Sequence, residues 1–116
     1  MEEANGDVRA RMKNAADKRA ILPRETSYAK DFLRDWEKLE RSGKHDMNVV
    51  KECMMLLIAN DAPLSAEWKD HQLKGELRDM RECHIKGDLV LVYHTEKTAR
   101  HELIMFFRIG THSEIF

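Results

Sequence analysis

The chain has 116 residues, with 20 lysines and arginines against 21 aspartates and glutamates, and a formal net charge of −1 at pH 7. This length fits one domain, and the charge balance excludes a chain-wide basic signal for nucleic acid, so any RNA contact needs a local basic patch. No apolar stretch approaches the ~20 residues of a membrane span, and residues 1–20 lack the apolar segment of a secretory signal. We therefore expect no membrane contact.

The two cysteines, Cys53 and Cys83, form no CxxC pair and suggest no disulfide framework. They favour a reducing cytoplasm and two buried thiols. Residues 1–20 are polar and mixed in charge. We predict that they form a polar tail, flexible or helical, ahead of a single domain that spans residues 21–116.

Two helices are predicted in the first half of that domain. Ala20–Pro23 is expected to form a short edge strand, and Thr26 or Ser27 to cap the first helix. Apolar residues at near-helical spacing predict that this helix runs to about Arg41; they are Tyr28, Phe32, Trp36 and Leu39.

The second helix is predicted to begin after Asp46, a good N-cap residue, and to end near Asn60, because Pro63 bars continuation. Beyond it the apolar period becomes strand-like, over residues 73–79, 81–86, 89–95 and 102–109. Gly87 and Asp88 form a turn signal, and the short connections favour antiparallel pairing. The predicted fold is α+β, with two helices on one face of a small antiparallel sheet.

Three histidines are candidates for a site on the open face of that sheet: His71, His84 and His112. Each has a charged neighbour in the sequence, which is Asp70, Glu82 or Arg108. Strand alternation places Glu82, His84 and Lys86 on one face. The remaining histidines, His45, His94 and His101, are assigned to the surface or to loops.

Histidine titrates near neutral pH, so a pair can supply a general base and a general acid. Nearby carboxylates can orient the rings, and a cation can hold an anion; the candidate cations are Arg108, Lys69, Arg81 and Lys86. Such a set can cleave RNA without a metal, because the ribose 2′-OH is an internal nucleophile. Alternatively, three histidine nitrogens can bind a metal ion.

The segment "WKDHQLKGELRDMRECHIKGDLVLVY", followed by "RIGTHSEIF", resembles the YafQ branch of the RelE/ParE toxin superfamily of type II toxin–antitoxin modules. The resemblance runs from about Ile21 to Phe116. Its motifs are Lys-Asp-His before Leu-x-Gly, an Arg-acid-x-His strand, an aspartate at the next turn, Gly-Thr-His and a terminal phenylalanine. The succession of two helices and an antiparallel sheet also matches that fold.

The resemblance implies a cytoplasmic bacterial endoribonuclease that cuts mRNA on the ribosome, without metal or cofactor, and arrests translation. His71, His84, Asp88 and His112 match the catalytic positions of the family. Phe116 matches a terminal aromatic residue, and Arg108 a basic residue near the phosphate. A cognate antitoxin is also implied, which wraps the toxin and binds operator DNA to repress their shared operon.

The sequence departs from the family pattern at a few positions. Glu82 stands where aspartate is familiar, which keeps the charge and lengthens the reach. Gln72 stands where proline is common, which predicts a less rigid loop around His71. Two other hypotheses use the same residues: a binding protein of this fold that inhibits its target without cleavage, and a metal-dependent hydrolase built on the histidines.

Overall fold

The computed structural model describes residues 22–116, so the predicted tail of residues 1–20 lies outside the described part. The elements in chain order are β1 (Glu25–Tyr28), α1 (Lys30–Ser42), α2 (Met47–Ala59), β2 (His71–Gln72), β3 (Arg81–Lys86), β4 (Leu89–Lys97), β5 (Glu102–Thr111) and α3 (His112–Ile115). Two single 3₁₀ turns, Ala66–Trp68 and Gly75–Leu77, lie in the loops on either side of β2.

The five strands form one sheet in the order β1-β5-β4-β3-β2. Strands β3, β4 and β5 pair antiparallel with one another, as predicted, and β2, which was not predicted, pairs antiparallel with β3; the α+β class is confirmed. The exception is β1, which pairs parallel with β5. A parallel neighbour requires a long crossover, and here α1, α2 and strands β2 to β4 all lie between β1 and β5 in the sequence.

The start of the domain differs from the prediction. Thr26 and Ser27 do not cap a helix, because their backbone pairs with Ile104 and Met105 of β5. Helix α1 instead begins after Ala29, which offers no side-chain cap. The strand expected at Ala20–Pro23 is not found over its described part, Leu22 and Pro23. The tertiary pairing with β5 therefore overrides the local capping signal.

Helix α2 agrees with the sequence prediction at both ends. The Asp46 carboxylate accepts a hydrogen bond from the Asn48 backbone N–H at 3.0 Å. Asn60 closes the helix in a left-handed conformation, with φ of 56°, which asparagine tolerates better than most residues. These two residues act locally, so the sequence alone was sufficient to place the helix.

The strand predicted over residues 73–79 was wrong. Only the short β2 forms, before this segment, and the chain then turns through Gly75, whose φ is +70°. The Leu73 backbone N–H donates a hydrogen bond to the Met80 carbonyl, which joins the two ends of this turn. The segment is therefore a loop over the open face of the sheet, and its leucines are half-buried in that position.

The core lies between the two long helices and one face of the sheet. Its helical members are Phe32, Leu39, Val50, Cys53 and Leu57, and its strand members are Cys83, Ile85, Leu89, Leu91, Tyr93, Ile104, Phe106 and Ile109. Alternation turns Val90 and Val92 to the other face, where they are also fully buried. Within residues 22–116, no helix has the length and apolar character to cross a membrane.

Candidate active site

Glu82 of β3 is the centre of the side-chain cluster on the open face. Its side chain is only 3 % exposed, yet its carboxylate meets three imidazoles. The Oε2 atom lies 3.5 Å from Nε2 of His71, 3.3 Å from Nε2 of His84 and 3.1 Å from Nε2 of His112. A buried carboxylate needs such partners, because burial of an unpaired charge is costly.

Strand pairing positions His84 and the floor of the site. His84 is two residues from Glu82 on β3, so both side chains point to the same face, as predicted. In the ladder with β4, Glu82 lies opposite Val92 and His84 opposite Val90. Both valines are fully buried, so they give the site an apolar floor beside Glu82 and His84.

His71 reaches the cluster because β2 pairs antiparallel with β3, which sets His71 directly opposite Glu82. Its Nδ1 lies 2.8 Å from the Lys69 carbonyl oxygen. A carbonyl only accepts hydrogen bonds, so Nδ1 carries the proton that is donated there. In the neutral ring, the lone pair is therefore on Nε2, the nitrogen that faces Glu82.

His112 is the first residue of the short helix α3 at the end of the described chain. Thr111 and Glu114 form a capping box, in which the Thr111 backbone N–H donates to the Glu114 carboxylate at 2.9 Å. This turn folds closely over Gly110, where an added Cβ would come within 3.1 Å of Oε1 of Glu114. The predicted residue His112 is thus fixed by the C-terminal backbone as well as by its ring contacts.

Each nitrogen of the His112 ring meets a carboxylate. Nε2 lies 3.1 Å from both oxygens of Glu82, and Nδ1 lies 3.3 Å from Oδ1 of Asp88 in the β3–β4 turn. Desolvation by burial lowers the pKa of His112, but the hydrogen bond to Asp88 and the charge of Glu82 outweigh it, so the pKa is raised. The ring therefore keeps its second proton to a higher pH than an isolated histidine.

Phe116 extends the cluster towards solvent. The ring centroids of His71 and His84 are 5.9 Å apart, those of His84 and His112 are 5.7 Å apart, and those of His112 and Phe116 are 5.6 Å apart. The phenyl ring is 53 % exposed. An exposed aromatic ring beside a charged cluster can stack on a nucleobase.

An open cavity of about 380 Å³ lies over this row of rings, and His71, Glu82, His112 and Phe116 contribute to its lining. The loop that replaces the predicted strand supplies the rest of the lining, from Leu73, Lys74 and Leu77. These three residues were not predicted as part of the site, because the sequence pattern of the segment is that of a strand. The "HQLKG" motif, which contains Leu73 and Lys74 close to His71, was the signal that could have placed two of them there.

None of the four predicted cations has its charged group in the cluster. The Arg108 guanidinium donates to both carboxylate oxygens of Asp35 on α1, at 2.7 and 3.1 Å, and its pKa is raised first of all by that hydrogen bond. Lys69 contributes its carbonyl to His71, and its side chain is exposed. Lys86 is exposed and lines a separate hollow beside Lys44.

Asp70 and Arg81 are brought together, but on the side of the sheet that the helices cover. The Arg81 guanidinium donates to both oxygens of Asp70, at 3.3 and 3.2 Å, and the hydroxyl of the core residue Tyr93 donates to the same carboxylate. This group anchors the residue that immediately precedes His71 to strands β3 and β4. Tyr93 gave no sequence signal, because its run is uniformly apolar.

The cluster also has the donors of a metal site. One ligand atom each from His71, Glu82 and His84 can be chosen such that all lie within 4.8 Å of one another. Two imidazoles and a carboxylate suit zinc and similar ions. The geometry is therefore compatible both with histidine acid–base chemistry and with metal binding.

Comparison with known proteins gives the family. Residues 24–116 match the model of the bacterial toxin of the type II toxin–antitoxin system, YafQ. The chain belongs to the YafQ toxin family. It is 37 % identical over 97 residues to the mRNA interferase toxin YafQ of Escherichia coli K12, a match that covers 83 % of this chain and 99 % of that protein.

Solved structures agree with this assignment. The E. coli DinJ–YafQ complex contains a chain that is 38 % identical, with a TM-score of 0.67, and the match covers 80 % of this chain and 98 % of that one. A metal-bound toxin from Helicobacter pylori is also 38 % identical, with a TM-score of 0.69, over 79 % of this chain and 98 % of that one. The protein is thus a toxin of a type II toxin–antitoxin system, with the fold of the YafQ structures.

Proposed function

We propose that this toxin cleaves mRNA on the ribosome by histidine acid–base chemistry, without a metal ion. Membership of the YafQ family, with its curated mRNA interferase relatives, makes the chain an endoribonuclease. The observation that carries the proposal is the convergence of His71, His84 and His112 on the buried carboxylate of Glu82, beside an open cavity.

The two imidazole rings that line the cavity have different hydrogen-bond partners. His71 presents the lone pair of Nε2 when neutral, because Nδ1 is committed to the Lys69 carbonyl. Burial lowers the pKa of His112, but the hydrogen bond to Asp88 and the charge of Glu82 outweigh it and raise the pKa, which favours the protonated ring. In the proposal, the neutral form of His71 is the base and the protonated form of His112 is the acid.

In the proposed reaction, Nε2 of His71 accepts the proton of the ribose 2′-OH, and the 2′-oxygen attacks the adjacent phosphorus. The bond from phosphorus to the 5′-oxygen breaks, and His112 donates its proton to that oxygen. The products are a 2′,3′-cyclic phosphate and a 5′-hydroxyl end. Glu82 and Asp88 orient the imidazole rings, and Phe116 stacks on a base. His84 lies close to the rings of His71 and His112 and shares the Glu82 carboxylate with them.

The proposed partners follow from the family. A cognate antitoxin binds the toxin, as DinJ does in the complex with E. coli YafQ, and carries the pair to operator DNA. The substrate is mRNA on the ribosome, so the toxin acts in the bacterial cytoplasm. A near-neutral net charge gives little general attraction to RNA, which fits a toxin that depends on the ribosome to present its message.

Induced expression in a bacterial host tests the proposal, with wild type compared with His112→Ala. We expect wild type to arrest growth and to create new mRNA ends inside reading frames, mapped by primer extension. His112→Ala should lower the cleavage rate about 10²- to 10⁴-fold, because it removes an acid–base group. His101→Ala, a change of an exposed histidine outside the cluster, is the matched control and should behave as wild type.

Two outcomes would contradict the proposal. Growth arrest by His112→Ala without new mRNA ends would favour a toxin that inhibits its target by binding alone. Cleavage by purified toxin on programmed ribosomes that is lost after the toxin is treated with a zinc chelator, and restored by added zinc, would favour the metal hydrolase. That second measurement is informative because the donors of His71, Glu82 and His84 have metal-site spacing.

A further inference from the structure

RNA cleavage needs a cation at the phosphate, because negative charge builds on its oxygens as the 2′-oxygen attacks. The cluster itself is rich in acid, since Glu82 is at its centre and Asp88 contacts His112. The two arginines that sequence analysis offered are already paired through bidentate contacts, Arg108 with Asp35 and Arg81 with Asp70. A phosphate would have to displace a carboxylate to bind either of them.

Lys74 is placed differently. It lines the cavity that His71, His112 and Phe116 also line, and among the residues that the structure describes it is the one lysine or arginine of that lining. Among residues 22–116, no carboxylate lies within ion-pair distance of its ammonium group. Its charge is therefore available to an incoming anion.

The neighbours of Lys74 match the rest of a nucleotide. Leu73 and Leu77 line the same cavity, and Phe116 lies exposed at its edge. These apolar groups can pack on a base, while an ammonium on a flexible stem contacts the phosphate next to it. The loop places Lys74 just before Gly75, whose positive φ turns the chain back towards β3.

We propose that Lys74 binds a phosphate next to the cleaved bond, and that the loop of residues 73–77 is the substrate-binding loop of this toxin. The inference rests on the proposed ribonuclease function. It assigns the phosphate contact to a residue that the sequence analysis did not select, while Arg108 stabilises the packing of α1 on β5.

The test is a double-mutant cycle, in which substitution of the lysine is combined with neutralisation of one phosphate at a time. Single-turnover cleavage is measured on programmed ribosomes, with messages in which one phosphate at a time near the cleavage site is a neutral methylphosphonate. The cleaved bond itself keeps its phosphate. The proteins are wild type, Lys74→Met, Lys74→Arg and the matched control Lys30→Met, whose exposed lysine lies outside the cavity lining.

We expect Lys74→Met to slow cleavage of the unmodified message about 10- to 100-fold, the range for a lost hydrogen bond to a charged group. Wild type should be slowed by one particular methylphosphonate, and Lys74→Met should lose that sensitivity, because its contact is already gone. Lys74→Arg should recover most of the rate, and Lys30→Met should keep both the rate and the sensitivity.

Two results would overturn the inference. One is Lys74→Met cleaving as fast as wild type. The other is a slow variant that keeps the full methylphosphonate sensitivity at every position, which would show that the phosphate contact lies elsewhere. Thermal unfolding of each variant separates loss of fold from loss of contact. Failure of the wild type to cleave any message would instead reject the ribonuclease function itself.

Discussion

Glu82 shows how one residue can organise a site. Its carboxylate is 3 % exposed and contacts His71, His84 and His112 through one oxygen. Removing one partner of a buried charge costs several kcal/mol, and here three histidines together stabilise the buried carboxylate. Among residues 22–116, the one hydrogen-bond partner of the exposed Asp88 side chain is His112, so Asp88 can be changed to probe the electrostatics of the ring without unpairing Glu82.

Asp88→Asn should lower the pKa of His112. The pKa is raised in the folded protein, and the hydrogen bond to Asp88 is the largest of the contributions that raise it. An NMR titration of the ring should show the midpoint move towards lower pH. Asp61→Asn, which changes an exposed carboxylate away from the cluster, should leave it in place. An unchanged midpoint in Asp88→Asn would mean that Asp88 does not hold the ring.

The same shift links stability to pH. Because the folded pKa of His112 is raised, its protonation stabilises the fold below the ordinary histidine pKa of about 6.5. That contribution is lost as the pH rises through the raised folded value. The stability deficit of Asp88→Asn, measured by urea unfolding, should therefore be larger at pH 6 than at pH 9.

At the scale of elements, α1 provides hydrogen bonds to the edge of β5 where no neighbouring strand does so. Strand β1 pairs with β5 only as far as Phe106. Beyond it, Oδ2 of Asp35 accepts hydrogen bonds from the backbone N–H of Ile109 at 3.1 Å and from Arg108 at 2.7 Å. The helix thus satisfies the exposed edge of β5 just before the chain enters the site, and edge groups left unpaired are a liability.

Asp35→Ala should destabilise the protein by about 2–3 kcal/mol, because it unpairs Arg108 and the backbone N–H of Ile109 where both are partly buried. Glu37→Ala on the same helix is the control. Its ion pair with Arg41 is exposed, so its loss should cost at most about 0.5 kcal/mol. Urea unfolding checks both values, and equal losses in the two variants would contradict the role of Asp35.

At the scale of the whole molecule, the two cysteines report on packing between layers. Cys53 of α2 and Cys83 of β3 are fully buried, with their sulfur atoms 3.1 Å apart. The hydrogen bond with Cys53, followed by burial, raises the pKa of the Cys83 thiol. Because the thiolate is the reactive form, both effects protect this thiol in the folded protein.

We expect both thiols to react with an aromatic disulfide reagent only when the protein opens. The labelling rate in native buffer should be far below that of an exposed cysteine introduced by Ser65→Cys, and urea should accelerate it. Both native thiols reacting as fast as the introduced one would contradict close packing of α2 on β3.

Some of the site was accessible from the sequence because its signals are local. Strand alternation placed Glu82 with His84, and the Gly87-Asp88 turn signal placed the hairpin that carries Asp88. The roles of Arg108, Arg81 and Asp70 were not accessible. Their partners are 73 residues away for Arg108, on α1, and 11 residues away for Arg81, in a loop, and no pattern in the sequence links them.

The sequence by itself determined the α+β class, helix α2 with its Asp46 cap, the three long strands and the family, because capping, periodicity and motif identity are properties of neighbouring residues. Only the tertiary structure decided that β1 is parallel to β5, that residues 73–79 form a loop, and that three histidines share one carboxylate. Those outcomes depend on which distant segments pack together. The burial of apolar surface that stabilises such packing exists only in the folded chain.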